Sequence, residues 1–328
     1  MKSKNIKFID LFAGIGGFRI GFEKAEGFKC VFSSEIEENC RETYKENFGE
    51  YPAGDIRKLS AKDIPDHDVL LAGFPCQPFS ISGKLQGFED TRGTLFYDIL
   101  RIAEAKSPKV IVLENVKHLM YHDKGKTLRT ILKHLGELGY KISWKVLNAS
   151  DFEVPQNRER IFIVAAKGKS FDFTLLKKRK GRTIKDILDS KGNFEFLKRK
   201  DYTIIAPQVR QKSGLIFAGY RNKKIRIAGV RPNTEHLSRV HKQPNRIYSS
   251  DGIHPTLPSQ ESAGRFFILH NGRVRKLTFN EARKLMGFHD SFKWVSSNGE
   301  KYKQIGNAIC VPLVEELAHQ IKKQLFEK

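Results

Sequence analysis

Two side chains in this 328-residue sequence pair a soft nucleophile with a carboxylate, each directly after an apolar run. Cys76 lies in Gly73-Phe74-Pro75-Cys76-Gln77, behind Asp68-Val69-Leu70-Leu71-Ala72, and Glu114 opens Glu114-Asn115-Val116, behind Val110-Ile111-Val112-Leu113. A thiolate adds to an electron-poor ring carbon, and a neighbouring carboxylate can manage the proton and charge that the addition creates. Both apolar runs read as buried strands. Gly-Phe-Pro must end the first, because proline brings no N–H to a ladder and glycine admits unusual backbone angles. The spacing therefore predicts Cys76 on a loop at one strand's carboxyl end and Glu114 at another's, the edge where open α/β sheets bind ligands.

Those strands need a scaffold, and the first βα turn supplies its opening. Asp10-Leu11-Phe12-Ala13-Gly14-Ile15-Gly16-Gly17-Phe18 carries glycines that let the backbone approach a cofactor closely. Glu35, about 20 positions on and after a second strand, is placed to accept hydrogen bonds from ribose hydroxyls. The turn suits NAD, FAD or S-adenosylmethionine. It departs from G-x-G-x-x-G, since Gly17 follows Gly16 directly and Arg19 stands where a third glycine belongs, which weakens a pyrophosphate cradle. Asp55, in Gly54-Asp55-Ile56 at a further strand end, is a candidate for contacting an adenine amino group.

Strands and helices alternate up to about Ala166. Phe8 to Phe12 and Cys30 to Ser34 read as strands with a helix from Gly16 to Glu26 between them, a βαβ unit. Further helices are expected over Glu37 to Phe48, Thr94 to Lys106 and Thr127 to Leu138, the last closed by Gly139, with a late strand over Ile161 to Ala165. The pattern predicts an α/β fold with a doubly wound sheet. After Gly168 the periodicity weakens, and Pro207, Pro232, Pro244, Pro255 and Pro258 break the chain into short strands and loops. Helical patterns return over Thr278 to Met286 and Val311 to Phe326. The expected division is residues 1–180 as a catalytic and cofactor-binding domain, 181–270 as a smaller, mostly β and loop domain, and 271–328 as a hinge and C-terminal helix returning to the first.

Charge says what the smaller domain is for. Lys and Arg number 59 against 37 Asp and Glu, a net +22, which attracts phosphate backbones. Leu175 to Arg231 holds 17 basic and 4 acidic side chains, interleaved with Phe194, Phe196, Tyr202, Ile204, Phe217 and Tyr220, which predicts a folded nucleic-acid surface rather than a disordered tail. Gln243 and Arg246 in this region are candidates for DNA contact. The four cysteines form no C-x-x-C pair, and Cys30, Cys40 and Cys310 sit in apolar contexts. His118 and His122 lie one helical turn apart without a third ligand, so no metal is assigned. No apolar stretch approaches the ~20 residues needed to cross a bilayer. The start, Met1-Lys2-Ser3-Lys4-Asn5-Ile6-Lys7, has no secretory core. A reducing cytosol suits these free thiols.

Read together, the blocks resemble the bacterial cytosine-C5 DNA methyltransferases, the methylases of type II restriction-modification systems. Phe8 to Phe18 is similar to the family's cofactor motif and Gly73 to Ser80 to its nucleophile loop, with Arg92-Gly93-Thr94-Leu95-Phe96 like the segment after that loop. Glu114-Asn115-Val116 is similar to the base-holding motif and Gln156-Asn157-Arg158-Glu159-Arg160 to the paired-arginine motif. Arg275 to Gly287 is like the element that orients the recognition domain, and Gln304-Ile305-Gly306-Asn307-Ala308 like the closing cofactor motif. Thr256-Leu257 resembles the pair found in the family's target-recognition region.

The resemblance implies a Rossmann-like methyltransferase sheet with a target-recognition domain, acting on a cytosine flipped out of double-stranded DNA. It implies Cys76 as nucleophile at C6, Glu114 at N3 and the exocyclic amine, and Arg158 and Arg160 steadying the base carbonyl and lowering the thiol pKa. S-adenosylmethionine is the implied methyl donor, with Phe12, Gly14, Gly16, Gly17, Phe18, Glu35, Ile36, Asp55, Ile56, Gly73, Pro75, Leu95, Asn307 and Ala308 around it. Ser80, Ser82, Gln243, Arg246, Thr256 and Leu257 are the implied DNA contacts, and Gly83 and Gly87 suit a loop that closes over the base. A partner restriction endonuclease is a further expectation. Two other readings stay open: a transfer-RNA cytosine methyltransferase with the same chemistry, and a nicotinamide-dependent oxidoreductase, which would leave Cys76 and Glu114 without roles.

Overall fold

The computed structural model describes residues 5–75, 95–179, 181–222, 241, 243–259 and 267–327; Cys76, Ser80 and Ser82 lie outside them. The chain divides into two compact units, one of Met1–Leu147, Glu159–Lys177 and Leu313–Lys328, the other of Asn148–Arg158 and Lys178–Pro312. The 1–180 block expected from the sequence is thus interrupted at 148–158, and the return after residue 271 joins the first unit only from Leu313.

The first unit is built on six strands: β1 (Ile6–Leu11), β2 (Phe28–Ser34), β3 (Val69–Gly73), β4 (Val110–Val116), β5 (Lys141–Asn148) and β7 (Glu159–Ala166). The short β6 (Gln156–Asn157) belongs to the second unit. Its helices are α1 (Gly17–Lys24), α2 (Glu38–Phe48), α3 (Leu95–Lys106) and α4 (Lys126–Glu137); α5 (Phe279–Lys284) and α6 (Asn298–Asn307) lie in the second unit, and α7 (Val311–Ile321) re-enters the first. Sequence periodicity finds neither β5, whose alternation is masked by lysines and a half-exposed Trp144, nor α6, a largely polar helix.

The sheet order is β2-β1-β3-β4-β7-β5. From β1 the chain steps outward to β2 and returns to β3 on β1's other side, so the direction of winding switches between β1 and β3. Helices cover both faces, which is why β3 and β4 read as unbroken apolar runs. On one face Ile9, Leu11, Leu70, Ala72, Ile111, Leu113, Ile161 and Ile163 pack with Ile99 and Ile102 of α3 and Ile131 and Leu135 of α4. On the other, Phe22 of α1 lies 5.5 Å from Phe8 and 5.0 Å from Phe28, and a side chain at Gly21 would come within 2.5 Å of Val314 in α7. Among the described residues no helix is long and apolar enough to cross a membrane.

The second unit holds a five-stranded sheet in the order β13-β12-β10-β9-β8, made of β8 (Tyr202–Arg210), β9 (Ile216–Arg221), β10 (Arg246–Ser249), β12 (Phe267–His270) and β13 (Arg273–Lys276). The two-residue β11 (His254–Pro255) pairs with β6 in parallel. Tyr202, Ile247, Phe267 and Val274 fill one small core, and Leu215, Phe217 and Tyr248 another. Behind the sheet, Arg275 grips Glu281 through two bonds of 2.7 and 2.9 Å, both side chains buried. The same Glu281 closes a capping box with Thr278 at the start of α5.

One buried acid in the first unit carries a pH signature. Asp10, at the end of β1, is wholly shielded from water, and burial pushes its carboxyl from an ordinary 3.8 up to about 8, with Arg19 pulling the other way. Since the folded value is raised, the associated stability is fully present below about pH 4 and is lost as pH rises toward 8. Asp10→Asn removes the titration. Its urea midpoint is expected to gain on the wild type's steadily between pH 4 and 8; a pH-independent difference would show that Asp10 ionises normally in the fold.

Candidate active site at the carboxyl edge of the sheet

Strand register sets Glu114 beside the end of β3. β3 and β4 run parallel with Gly73 directly opposite Glu114. A side chain at Gly73 would meet Glu114 Oε2 at 3.6 Å, an ordinary van der Waals contact. β7 runs antiparallel to β4, pairing Arg160 with Val116, and an antiparallel strand starts at the edge where its parallel neighbours finish. Arg160 Nε consequently lies 3.2 Å from Glu114 Oε1, each side chain about one-sixth exposed. Beside them Lys117 Nζ donates to both oxygens of Glu159 at 3.0 and 3.1 Å.

Asn115, between these groups, is 3% exposed; its Nδ2 donates to the Phe74 carbonyl at 2.9 Å while its Oδ1 accepts from the Val116 N–H at 2.8 Å. The amide ties the end of β4 to the backbone two residues before Cys76. The sequence marks this residue only by putting an amide where the apolar run ends. Pro75 is exposed at the last described position before the loop.

The glycine turn is shaped as its residue types require. Gly14 and Gly16 have φ of 54° and 87°, and Phe12 takes 57° beside them. A side chain at Gly16 would also strike the Phe48 ring at 2.3 Å. Gly17 starts α1 and Phe18 packs inward at 5% exposure. Glu35 is already oriented, its two oxygens accepting from the N–H groups of Gly14 and Glu37 at 2.8 Å each. Next to it Ile36 is 58% exposed, an apolar face beside an acceptor, the combination a nucleoside needs. Leu95 packs half-buried against the core at the start of α3.

Asp55 is held by Arg57, whose Nη2 lies 2.6 Å from Oδ2 and whose backbone N–H reaches Oδ1 at 3.0 Å; these bonds keep the carboxyl below its ordinary range. Ile56 is buried, and its carbonyl accepts from Arg101 of α3 at 2.5 Å. Sequence reasoning did not single out Arg57 or Arg101, because isolated arginines in a basic chain carry no signal.

The other expected site residues fall in the second unit. Arg158 is 3% exposed, and its Nη2 donates to the carbonyls of Gly306 and Ala308 at 3.0 and 2.8 Å. Asn307 is exposed and ends α6. Leu257 is buried with its N–H on Gln156, and Thr256 donates to the Asn157 carbonyl at 2.7 Å. Gln243 begins a single turn, and Arg246 donates to the His241 carbonyl at 2.9 Å. Elsewhere, Cys30 is buried and its thiol pushed up to about 12 by burial, and His122 is hydrogen-bonded to Thr127 at 2.7 Å.

Comparison with known proteins bears on this arrangement directly. The model of the C-5 cytosine-specific DNA methylase family matches residues 6–323. The chain belongs to that family. It is 41% identical to the type II methyltransferase M.HhaI of Haemophilus parahaemolyticus, over 98% of this chain and 95% of the relative. It is 43% identical to M.NlaX of Neisseria lactamica, over 97% of each. In fold it matches the Dnmt2 methyltransferase of S. pombe at a TM-score of 0.67, 20% identity and 98% coverage of this chain and 100% of the other. A putative prophage-encoded DNA modification methyltransferase of E. coli matches at 0.69 and 20%, over 99% and 100%. The protein is a DNA cytosine-5 methyltransferase, and the family match favours this reading over transfer-RNA methylation and over a nicotinamide oxidoreductase.

In a methylase of this kind Asn115 should matter for turnover more than for binding. Asn115→Asp keeps the shape but removes the donor, leaving the Phe74 carbonyl unpaired at a cost of about 1–3 kcal/mol. The expected outcome is a kcat lowered by roughly tenfold with KM for the methyl donor unchanged, measured by tritium transfer to DNA. A proportional rise in KM would place Asn115 in binding instead.

Proposed function

We propose that the chain methylates carbon 5 of a cytosine flipped out of a short specific sequence in double-stranded DNA, as the modification enzyme of a restriction-modification system. The observation that carries the residue roles is the register that sets Gly73 opposite Glu114, with Arg160 paired to that carboxylate. Pro75 leads from this edge into Cys76, which by this reading is the nucleophile.

Cytosine C5 is too poor a nucleophile to take a methyl group unaided. Addition of the Cys76 thiolate at C6 makes the ring enamine-like, so that C5 can attack. Glu114 hydrogen-bonds N3 and the exocyclic amine and favours proton transfer to N3 as charge develops there. Arg160 keeps that carboxylate oriented and the surroundings cationic, which also favours the thiolate. Loss of the C5 proton then expels Cys76 and restores the ring. The face of C6 cannot be reached inside a stacked duplex, so the base must be extruded, and by this reading Ser80 and Ser82 are DNA contacts.

S-adenosylmethionine supplies an electrophilic methyl group from its sulfonium when bound. Glu35 would accept from the ribose, Ile36 would lie against the adenine with Ile56 behind it, and Asp55 would accept from the adenine amino group. The turn of Phe12, Gly14, Gly16, Gly17 and Phe18, with Gly73, Pro75 and Leu95, would frame the remainder. What supports this is the oriented Glu35 carboxylate beside an exposed apolar residue. The basic second unit, through Gln243, Arg246, Thr256 and Leu257, is the reader of sequence. A monomer acting in a prokaryotic cytoplasm, alongside a cognate nuclease, completes the proposal.

A duplex carrying 5-fluorocytosine at the target tests the covalent step, since fluorine cannot leave as the proton does. An adduct stable to denaturing electrophoresis is expected from the wild type and none from Cys76→Ala; its absence from the wild type, with DNA and cofactor bound, removes the thiol from the mechanism. For the cofactor, Glu35→Ala is expected to weaken S-adenosylmethionine binding by roughly 1.5–3 kcal/mol while DNA affinity stays nearly constant. Calorimetry finding equal cofactor affinity would move the ribose elsewhere.

A further inference from the structure

The proposed function gathers three segments of the first unit around the methyl donor, and each is an extension of α1 or α2. The glycine turn runs into α1 at Gly17. Glu35 and Ile36 precede α2, and the N-cap Glu37 gives its N–H to the Glu35 carboxylate. The chain leaving α2 at Gly49 passes Glu50 and Pro52 on its way to Asp55. How these segments stand relative to one another therefore depends on what fastens α1 to α2.

One guanidinium does this. Arg19, in the first turn of α1, is buried although it carries a full charge. Its Nη1 donates to the Tyr44 hydroxyl at 3.3 Å and to Glu50 Oε2 at 2.9 Å, its Nη2 lies 3.5 Å from Glu50 Oε1, and its Nε donates to Glu23 Oε1 at 3.0 Å. The planar group also sits over the Phe48 ring, 4.5 Å from the centroid. The same two rings of α2 close on the glycine turn: a side chain at Gly16 would strike Phe48 and come within 3.1 Å of Tyr44. Beyond the helix, Arg41 ties α2 to the chain on the way to Asp55, donating to the Pro52 carbonyl at 3.0 Å and lying 4.2 Å from the Tyr51 centroid. An apolar side chain at position 19 could fill the same space, but it could not hold Glu50, since only a planar fork of donors fixes direction as well as distance.

We infer that Arg19 is a positioning residue for the methyl-donor site: through Tyr44, Phe48 and Glu50 it holds α2 against the glycine turn and so sets Glu35 and the Asp55 segment at the spacing a nucleoside requires. The inference rests on the reading that these segments bind S-adenosylmethionine, and it gives Arg19 itself no contact with the donor. Without the tie, the turn and Glu35 reach the binding arrangement only part of the time. The apparent affinity falls by that fraction, while the chemistry at Glu114 is untouched.

The test is tritium transfer to saturating DNA by the full chain, with S-adenosylmethionine varied. Arg19→Met fills the space without the charge, a kind of replacement that often leaves stability intact. Its KM for the donor is expected to rise about tenfold, as when the competent arrangement falls to roughly a tenth of the population, with kcat at saturating donor nearly unchanged. Lost stability alone does the opposite, removing active enzyme so that kcat falls and KM stays. Glu50→Gln alters only the half-exposed partner. It is expected to raise KM by about threefold, in keeping with a partly exposed ion pair, and it carries the test if Arg19→Met does not fold, folding being checked by urea midpoint. The double variant should be no worse than Arg19→Met alone, because both changes undo one tie. An unchanged KM in the folded variants, a fall in kcat with KM fixed, or losses that multiply in the double variant overturns the inference. If Glu35→Ala also leaves donor affinity intact, the reading of the site has failed and the inference falls with it; if Glu35→Ala weakens the donor and the Arg19 and Glu50 variants do not, the reading stands and the inference alone falls.

Discussion

The hydrogen-bond register of β3, β4 and β7 is the constraint on which the reactive edge depends. Side chains alternate across a strand, so slipping β4 by one residue would turn Glu114 to the opposite face and put Asn115 in its place. A slip in either direction would draw Lys109 or Glu114 into a run whose Val110, Ile111 and Val112 are all at 0% exposure. A core that is dry on two sides therefore decides where a charged group stands at the sheet's rim. The antiparallel entry of β7 follows from the same economy: one reversed strand delivers Arg160 to a carboxylate that parallel neighbours alone would leave facing solvent.

Buried polar groups do the remaining positioning, and each does it by having its partners in place. Asn115, Gln156 and Glu281 are nearly or wholly shielded, and each binds through more than one bond to a segment distant in sequence or to a helix start. A buried ion pair such as Arg275 with Glu281 gains little net stability once desolvation is counted, so its value lies in geometry. It ties the start of α5 to β13. Asp10 is the exception, a carboxyl kept from water and held closer to its neutral form by burial.

Much of this is legible in the sequence. Buried parallel strands are apolar without interruption, so β1, β3 and β4 stand out as strands, and the residues that close each run mark where the chemistry sits. Glu35 is singled out by its distance after the glycine turn. What the sequence hides is whatever depends on long-range contact. β5 carries lysines on an edge strand, α6 has a polar face that periodicity does not catch, and residues 148–158 look like a connection between strands although they belong to the second unit. Gln156 and Arg158 read as a motif, but nothing in their spacing shows that their partners are carbonyls about 130 and 150 residues away.

The interleaving of the two units has a consequence for synthesis. The face of the first sheet that carries Phe8 and Phe28 is covered by α1 and by chain from Leu313 onward, with Phe326 lying 6.5 Å from Phe28. During translation that face emerges early and its cover emerges last. The nascent chain must therefore carry an incomplete apolar surface through the making of nearly the whole second unit, an interval of roughly 7–27 seconds at ~5–20 residues per second. Such an order of synthesis exposes the nascent chain to the hazards of unpaired apolar surface for as long as that interval lasts.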